Sequence, residues 1–410
     1  MSQQGPLLII AETGRPSFAA ALEEARMFPL IDADFSDAAR AVAQVHPAAV
    51  LADMPGADQA HFAALAKATA AQQPYLPLIA VGPEGAMAEN AIPFRPHGGS
   101  FDRLPVRLRA ALRVRALHST VLRRLGEKAV ARTHMPDIDP ARDATVLLIG
   151  RGGCYPALSV ALGERMGVVG AFSVEAAANH LNNRDINGIV LGEGFSARVT
   201  DALLTVISEN ARFRHLPIVL TSDELAPSYD LPNLEIICGA PARIADWALP
   251  LIRQHAIEIQ LSRTLRAVEA NGLLDPKTGL LTPSAFNRDL ATAVSETQSD
   301  GGGLSVARFA FDPQHPRAQL DGARIISRLM RKMDFGALQS DYSVIVVFTD
   351  TDLRAAHGVA RRLSAVMRHT AHGKRGQRTS PRISVATLLP TDTPKSLLAR
   401  LYENPHREAV

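Results

Sequence analysis

Short apolar runs, rich in β-branched side chains and too short to be helices, recur along the first part of this chain, with stretches of helical spacing between them. Leu7, Leu8, Ile9 and Ile10 begin the pattern, and further runs stand at 48–51 and 76–81, with helical spacing at 17–27 and 101–121. The pattern then starts again. Runs lie at 144–149, 189–191, 217–221 and 234–238, helical stretches at 155–166 and 174–182, and a last one runs from 241 to 269, long enough to leave one unit and enter the next. A strand that is apolar on both faces must be covered on both, the condition of a parallel sheet with helices on either side. The sequence therefore predicts two doubly wound units that repeat at roughly 120 to 140 residues. Residues 133–140, with their prolines and acids, are expected to link the copies.

A chain of 410 residues has room for a further domain after these two. Its net charge of +3 is too small to argue for nucleic acid. Arginines at 103, 107, 109, 113, 115, 123 and 124 are interleaved with leucines at helical spacing and read as the solvated side, and a dimer face, of the first unit's last helix. The two cysteines, Cys154 and Cys238, stand far apart without metal spacing, which fits a reducing cytoplasm. No apolar run is long enough to span a bilayer, so a cytoplasmic protein without membrane insertion is expected.

The ends of the predicted strands carry the first candidate chemistry. Asp53 ends a strand ahead of Met54, Pro55 and Gly56, and Glu12 follows the first strand. This resembles a phospho-receiver domain, in which a strand-end carboxylate accepts a phosphoryl group beside acids that hold Mg2+. The resemblance implies phosphorylation at Asp53 and Mg2+ held by Glu12 and Asp53. It is incomplete: Gly82 stands where a hydroxyl is expected and Arg95 where a lysine is. Read from the residues alone, Asp53 could equally be a turn residue or helix cap. In the second unit the matching strand ends in Glu193, Thr221 survives, and Gly239 and Ala240 replace the lysine and proline, so this unit resembles a receiver that does not receive.

The last part of the chain carries the strongest motifs. Asp275, Thr278, Gly279, Leu280 and Phe286 fall at the spacing of the opening motif of GGDEF domains, the diguanylate cyclases, and the stretch 272–400 resembles that family. Arg331 and Asp334 match its RxxD inhibitory motif, and Arg362, on the helix expected at 352–363, matches a further inhibitory-site arginine. The signature five residues on is lost: Ser340, Asp341, Tyr342 and Ser343 replace its glycines and acids, and Ala310 stands where a metal-binding acid is required, with Asp312 at the second acid position. The resemblance implies a domain that holds cyclic di-GMP through Arg331, Asp334 and Arg362 but has no catalytic residues. Arginine forks suit the O6 and N7 acceptors of guanine, and a carboxylate suits its donors. Without the resemblance, Arg331 and Asp334 read as a surface ion pair at a helix end, on a helix that also carries Arg324 and Arg328.

The expected fold class is thus α/β multidomain. Receiver-like units at 1–130 and 141–262, doubly wound and flavodoxin-like, precede a degenerate GGDEF, nucleotidyl-cyclase-like α/β domain at 272–410. This order resembles response regulators of the PleD and PopA types. It implies a non-enzymatic cyclic di-GMP effector in two-component and cell-cycle signalling, a homodimer recruited to a cell pole. Its partners would be proteins, namely polar localisation factors and the components of a protease–substrate adaptor, and not nucleic acid. Two alternatives stay open: a cyclase, active or residual, that converts GTP to cyclic di-GMP, and a ligand-free dimerisation partner of a cyclase.

Overall fold

The computed structural model describes residues 5–127, 140–222, 229–300 and 303–403, apart from Thr13, Phe28, Ala86, His97, Lys332, His369, 373–376 and Thr379. Most of the expected linker at 133–140 therefore lies outside the described residues, as does the chain beyond 403.

The first unit is built from β1 (Leu7–Ala11), α1 (Phe18–Glu24), β2 (Leu30–Asp34), α2 (Ala38–Val45), β3 (Ala49–Asp53), α3 (Gln59–Ala70), β4 (Leu78–Val81), β5 (Ala91–Phe94) and α4 (Leu104–Glu127). Its strands are all parallel, in the order β2-β1-β3-β4-β5. Every residue of β1 is buried, as its uniformly apolar sequence demands. The strand order reverses between β1 and β3, so the carboxyl ends of these two strands open a crevice, and Asp53 ends β3 at that point.

The second unit repeats the plan with β6 (Thr145–Ile149), α5 (Tyr155–Gly163), β7 (Gly167–Ala171), α6 (Val174–Asn183), β8 (Gly188–Leu191), α7 (Ala197–Glu209), β9 (Ile218–Leu220), β10 (Leu234–Ile236) and α8 (Pro241–Glu269). Its five strands are parallel in the order β10-β9-β8-β6-β7, the order of the first sheet. In both copies the described residues between the fourth and fifth strands form no helix.

The third unit holds α9 (Pro283–Asp300), β11 (Leu304–Ala310), α10 (Pro316–Leu329), β12 (Phe335–Leu338), β13 (Ser343–Thr349), α11 (Leu353–Met367), β14 (Thr370–His372), β15 (Gln377–Arg378), β16 (Arg382–Thr387) and α12 (Pro394–Glu403). Four strands form an antiparallel sheet in the order β12-β13-β11-β16. Alternation along β13 divides its side chains between two cores. Val344, Val346 and Phe348 pack under α10 and α11, whereas Ile345 and Val347 pack under α9 and α12. The opening motif at 275–280 is a closed turn. Asp275 accepts from Lys277 N and Thr278 Oγ1, both at 2.9 Å, and its own N–H donates to Leu280 O at 2.8 Å. Gly279 sits at φ +75°, a backbone that favours glycine, and a Cβ there would lie 2.9 Å from Ser327 Oγ.

The units share contacts across their borders. α4 packs along α8, and one hydrophobic core runs from Leu7 and Leu51 through Leu108 and Ala111 to Trp247 and Ile252. Between these helices Arg107 is 1 % exposed and pairs with buried Glu235 at 2.8 Å. Arg103 donates to Leu231 O and Leu234 O, Arg113 pairs with Glu258 at 2.9 Å, and Arg95 lies over the Trp247 ring at 4.6 Å. The expectation of a solvated arginine face is therefore corrected: Arg103, Arg107 and Arg113 are spent inside the chain, on acceptors of the second unit. At the other joint β14 pairs antiparallel with β7, so a strand of the third unit covers the edge of the second sheet. No helix among the described residues is long and apolar enough to cross a membrane.

Candidate functional site

α10 ends at Leu329, because Met330 takes an extended backbone. Arg331 and Asp334 consequently lie in a turn and not at a helix end, with Asp334 N donating to Arg331 O at 3.1 Å. The turn points the two side chains differently. Arg331 is exposed, whereas Asp334 is 9 % exposed and its Oδ1 accepts from Thr349 N at 3.3 Å. Burial raises the Asp334 pKa above the usual carboxylate range, against the hydrogen bonds from Thr349 and Arg331 and the charge of Arg331, which lower it. The two residues form no ion pair, so the reading as a surface pair is corrected as well.

Arg362 reaches Arg331 from another direction. Asp352 caps α11, accepting from Ala355 N at 2.7 Å, and Ala355, Gly358, Val359 and Arg362 then fall on one face of the helix. These four, with Arg331, Asp350 and Thr351, line one open depression. Alanine and glycine keep its floor low; a Cβ on Gly358 would meet nothing within 4 Å. Neither Arg331 nor Arg362 has an ion-pair partner among the described residues, and both are exposed. Two guanidinium forks beside one carboxylate, Asp350, can hold a planar acceptor edge or a phosphate. Asp334 does not line this depression. Asp350 does, and no spacing in the sequence marks it.

The segment Ser340–Ser343 forms the hairpin turn between β12 and β13, facing the end of β11. Ala310 pairs across the sheet with Ser343 and with Arg382. Asp341 pairs with Arg308 at 2.9 Å and accepts from Ser343 Oγ at 2.6 Å. Burial pushes the Asp341 carboxyl up, but the Ser343 hydroxyl and the Arg308 guanidinium outweigh it and hold the pKa below its usual value. Asp312 caps the turn into α10, accepting from Gln314 N at 2.9 Å with His315 at 3.4 Å. Each acid is thus taken up by neighbours of its own. Tyr342 occupies the left-handed region at φ +61°, where a side chain is disfavoured.

In the first unit Asp53 is half-buried, its pKa raised by burial, and its side chain makes no hydrogen bond or ion pair among the described residues. The cap of α3 is Asp58, which accepts from His61 N at 3.2 Å, so Asp53 is not the helix cap that its sequence allows. Glu12 accepts from Asp58 N at 3.3 Å. Among the described residues no group of three or more His, Cys, Asp or Glu stands ready for a metal ion. In the second unit Glu193, Thr221, Cys154 and Cys238 line one cavity at the strand ends. Both cysteines are exposed there.

No family model and no curated protein matches the chain. Among solved structures it is similar to the coiled coil and GGDEF domain of DgcB from Caulobacter crescentus in complex with c-di-GMP, with 15 % identity over 36 % of this chain and 85 % of that one, at a TM-score of 0.30. It is similar also to a sensory box/GGDEF family protein from Caulobacter crescentus CB15, with 23 % identity over 33 % and 96 % of the two chains, TM-score 0.28. The GGDEF domain of FimX from Pseudomonas aeruginosa gives 18 % identity over 32 % and 91 %, TM-score 0.30.

Proposed function

We propose that the third unit is a degenerate GGDEF domain that binds cyclic di-GMP and does not make it. The observation that carries this reading is the convergence of Arg331 and Arg362, from two separate elements, on one open depression where neither forms an ion pair among the described residues. The guanidinium groups would take the guanine acceptor edge or the phosphates. Asp350 is placed for the guanine donors, and Asp334 for bracing the turn that presents Arg331. Support for the lack of turnover comes from Ala310 at the end of β11 and from Asp341, which Arg308 and Ser343 already hold.

The two parallel units serve as receiver-like scaffolds for protein partners in an adaptor of the PleD and PopA types. Asp53 remains the candidate phospho-acceptor, because its carboxylate is half-buried at the switch point with no partner among the described residues. Acetyl phosphate should label the wild type at most weakly, and any label should vanish in Asp53→Asn; labelling that survives the change removes Asp53 from the role.

Incubation with GTP and Mg2+ or Mn2+ tests the absence of turnover. No cyclic di-GMP above the blank is expected, and product that disappears in Tyr342→Ala would overturn the reading. A calorimetric titration with cyclic di-GMP separates an effector from a ligand-free dimerisation partner, and heat that saturates is expected.

A further inference from the structure

A second cluster of arginines lines the cleft between the second and third units. Arg184, Arg212, Arg263, Arg266, Arg324 and Arg328 all border it, and the only acid that does so is Asp185. Asp185 is shared, since both Arg263 and Arg328 pair with it. Arg184 pairs with Asp321 at 3.3 Å and Arg324 with Asp143 at 3.6 Å. Arg212 and Arg266 have no acidic partner among the described residues. Arg212 lies over the Phe213 ring at 5.0 Å, and the Nε of Arg266 reaches only Ser262 O of its own helix, at 3.4 Å.

Six guanidinium groups therefore face three carboxylates. Burial, and next the charge of Arg263, make Arg324 harder to protonate than a free arginine. Like charges gathered in a half-enclosed cleft, next to low-dielectric walls, focus a positive potential outward. A single carboxylate would not balance it. A ligand with several negative charges and many acceptor oxygens would, and arginine forks match phosphoryl groups in bidentate geometry. Thr278, Gly279 and Ser327 line the cleft on the side of the third unit.

We infer that this cleft is a binding site for a chain of two or three phosphoryl groups, whether free or carried by a nucleoside. Arg212 and Arg266 supply the open contacts, and Arg263 and Arg328 turn their remaining N–H groups to the same ligand. Because Arg328 belongs to α10 and Arg212, Arg263 and Arg266 to the second unit, a bound ligand ties the two units at this joint. The inference is independent of the depression at Arg331 and Arg362.

The test is calorimetry on the full chain, with inorganic tripolyphosphate and GTP as probes, without divalent ions, at about 150 mM salt to screen diffuse attraction. Saturable binding is expected. The Arg212→Ala/Arg266→Ala variant should bind about tenfold more weakly or worse, and should fold normally, since neither residue holds the units together. A control of equal charge, Arg109→Ala/Arg198→Ala, both exposed and elsewhere, should bind like the wild type. GTP binding tighter than tripolyphosphate identifies a nucleotide as the source, and the reverse identifies a free polyphosphate. The inference is overturned if neither probe binds, if the control weakens binding equally, or if binding is lost only in Arg331→Ala/Arg362→Ala.

Discussion

Arg328 and Arg331 are one helical turn apart in sequence and do opposite things. Arg328 faces the second unit, pairing with Asp185 at 3.0 Å and donating to Leu181 O and Arg184 O. Arg331, just past the helix, is exposed beside Arg362 and forms no ion pair among the described residues. The same division runs through the molecule. Arg107, Arg184, Arg317, Arg324 and Arg328 bind the units to one another through backbone carbonyls and acids. The guanidinium groups of Arg331 and Arg362 have no ion-pair partner among the described residues. An arginine that carries its partners is a structural residue, and one held in place without partners is available to a ligand.

The largest effect should come from Arg107, which with Arg184 is among the most enclosed of the first set and whose partner Glu235 is buried as well. Arg107→Ala leaves Glu235 buried without its ion-pair partner, and takes the guanidinium donors from the carbonyls of Pro93 and Pro232. Removing one side of a buried pair costs about 3–5 kcal/mol, read as a lower denaturant midpoint for the first two units. A loss under about 1 kcal/mol would mean that the joint rests on the α4–α8 core alone.

Arg328→Ala should cost about 1.5–3 kcal/mol, the range for hydrogen bonds to charged groups. Hydrogen exchange should rise where β14 meets Val168 and Val169 of β7. Unchanged exchange there would break the division between the two sets. Arg324 belongs with Arg328, since it reaches Asp143 O at 3.1 Å.

Acid should loosen the joint of the first two units by a smaller amount. Burial first, and then the charge of Arg113, hold His215 down at about 4 from its usual 6.5. His118 is lowered likewise, by burial and then Arg115, while its Nδ1 accepts from Tyr75 N at 2.8 Å. A depressed histidine means that the unfolded chain binds the proton first. The stability contributed by neutral His215 is therefore complete above about pH 6.5 and is lost progressively down to about pH 4. Unfolding midpoints measured across that window should fall, and His215→Gln should flatten the slope.

Some of this was open to reading in the sequence. The repeat shows because parallel strands buried on both faces are written as apolar runs. β2 and β5 do not show, for physical reasons. Asp32 and Asp34 interrupt β2, an edge strand, and Pro93 interrupts β5, tolerated because β5 is the other edge. β14 is three residues long, and its partner β7 lies in another unit, so only the folded chain reveals it. Arg331 and Arg362 were legible as residues, through motif spacing. The turn that buries Asp334, the entry of Asp350, and the arginine cleft were not, since each depends on contacts between elements distant in sequence.

Ligand binding at the third unit requires Arg331 and Arg362 to be free for a ligand. Calorimetric titration of cyclic di-GMP into the wild type, Arg331→Ala and Arg362→Ala, with thermal unfolding of each, tests this directly. The expected result is an affinity loss of about tenfold to hundredfold per variant, the cost of one bidentate arginine contact of about 1–3 kcal/mol, with stability changed by no more than about 0.5 kcal/mol. Variants that bind like the wild type, or that unfold before they lose the ligand, would contradict it.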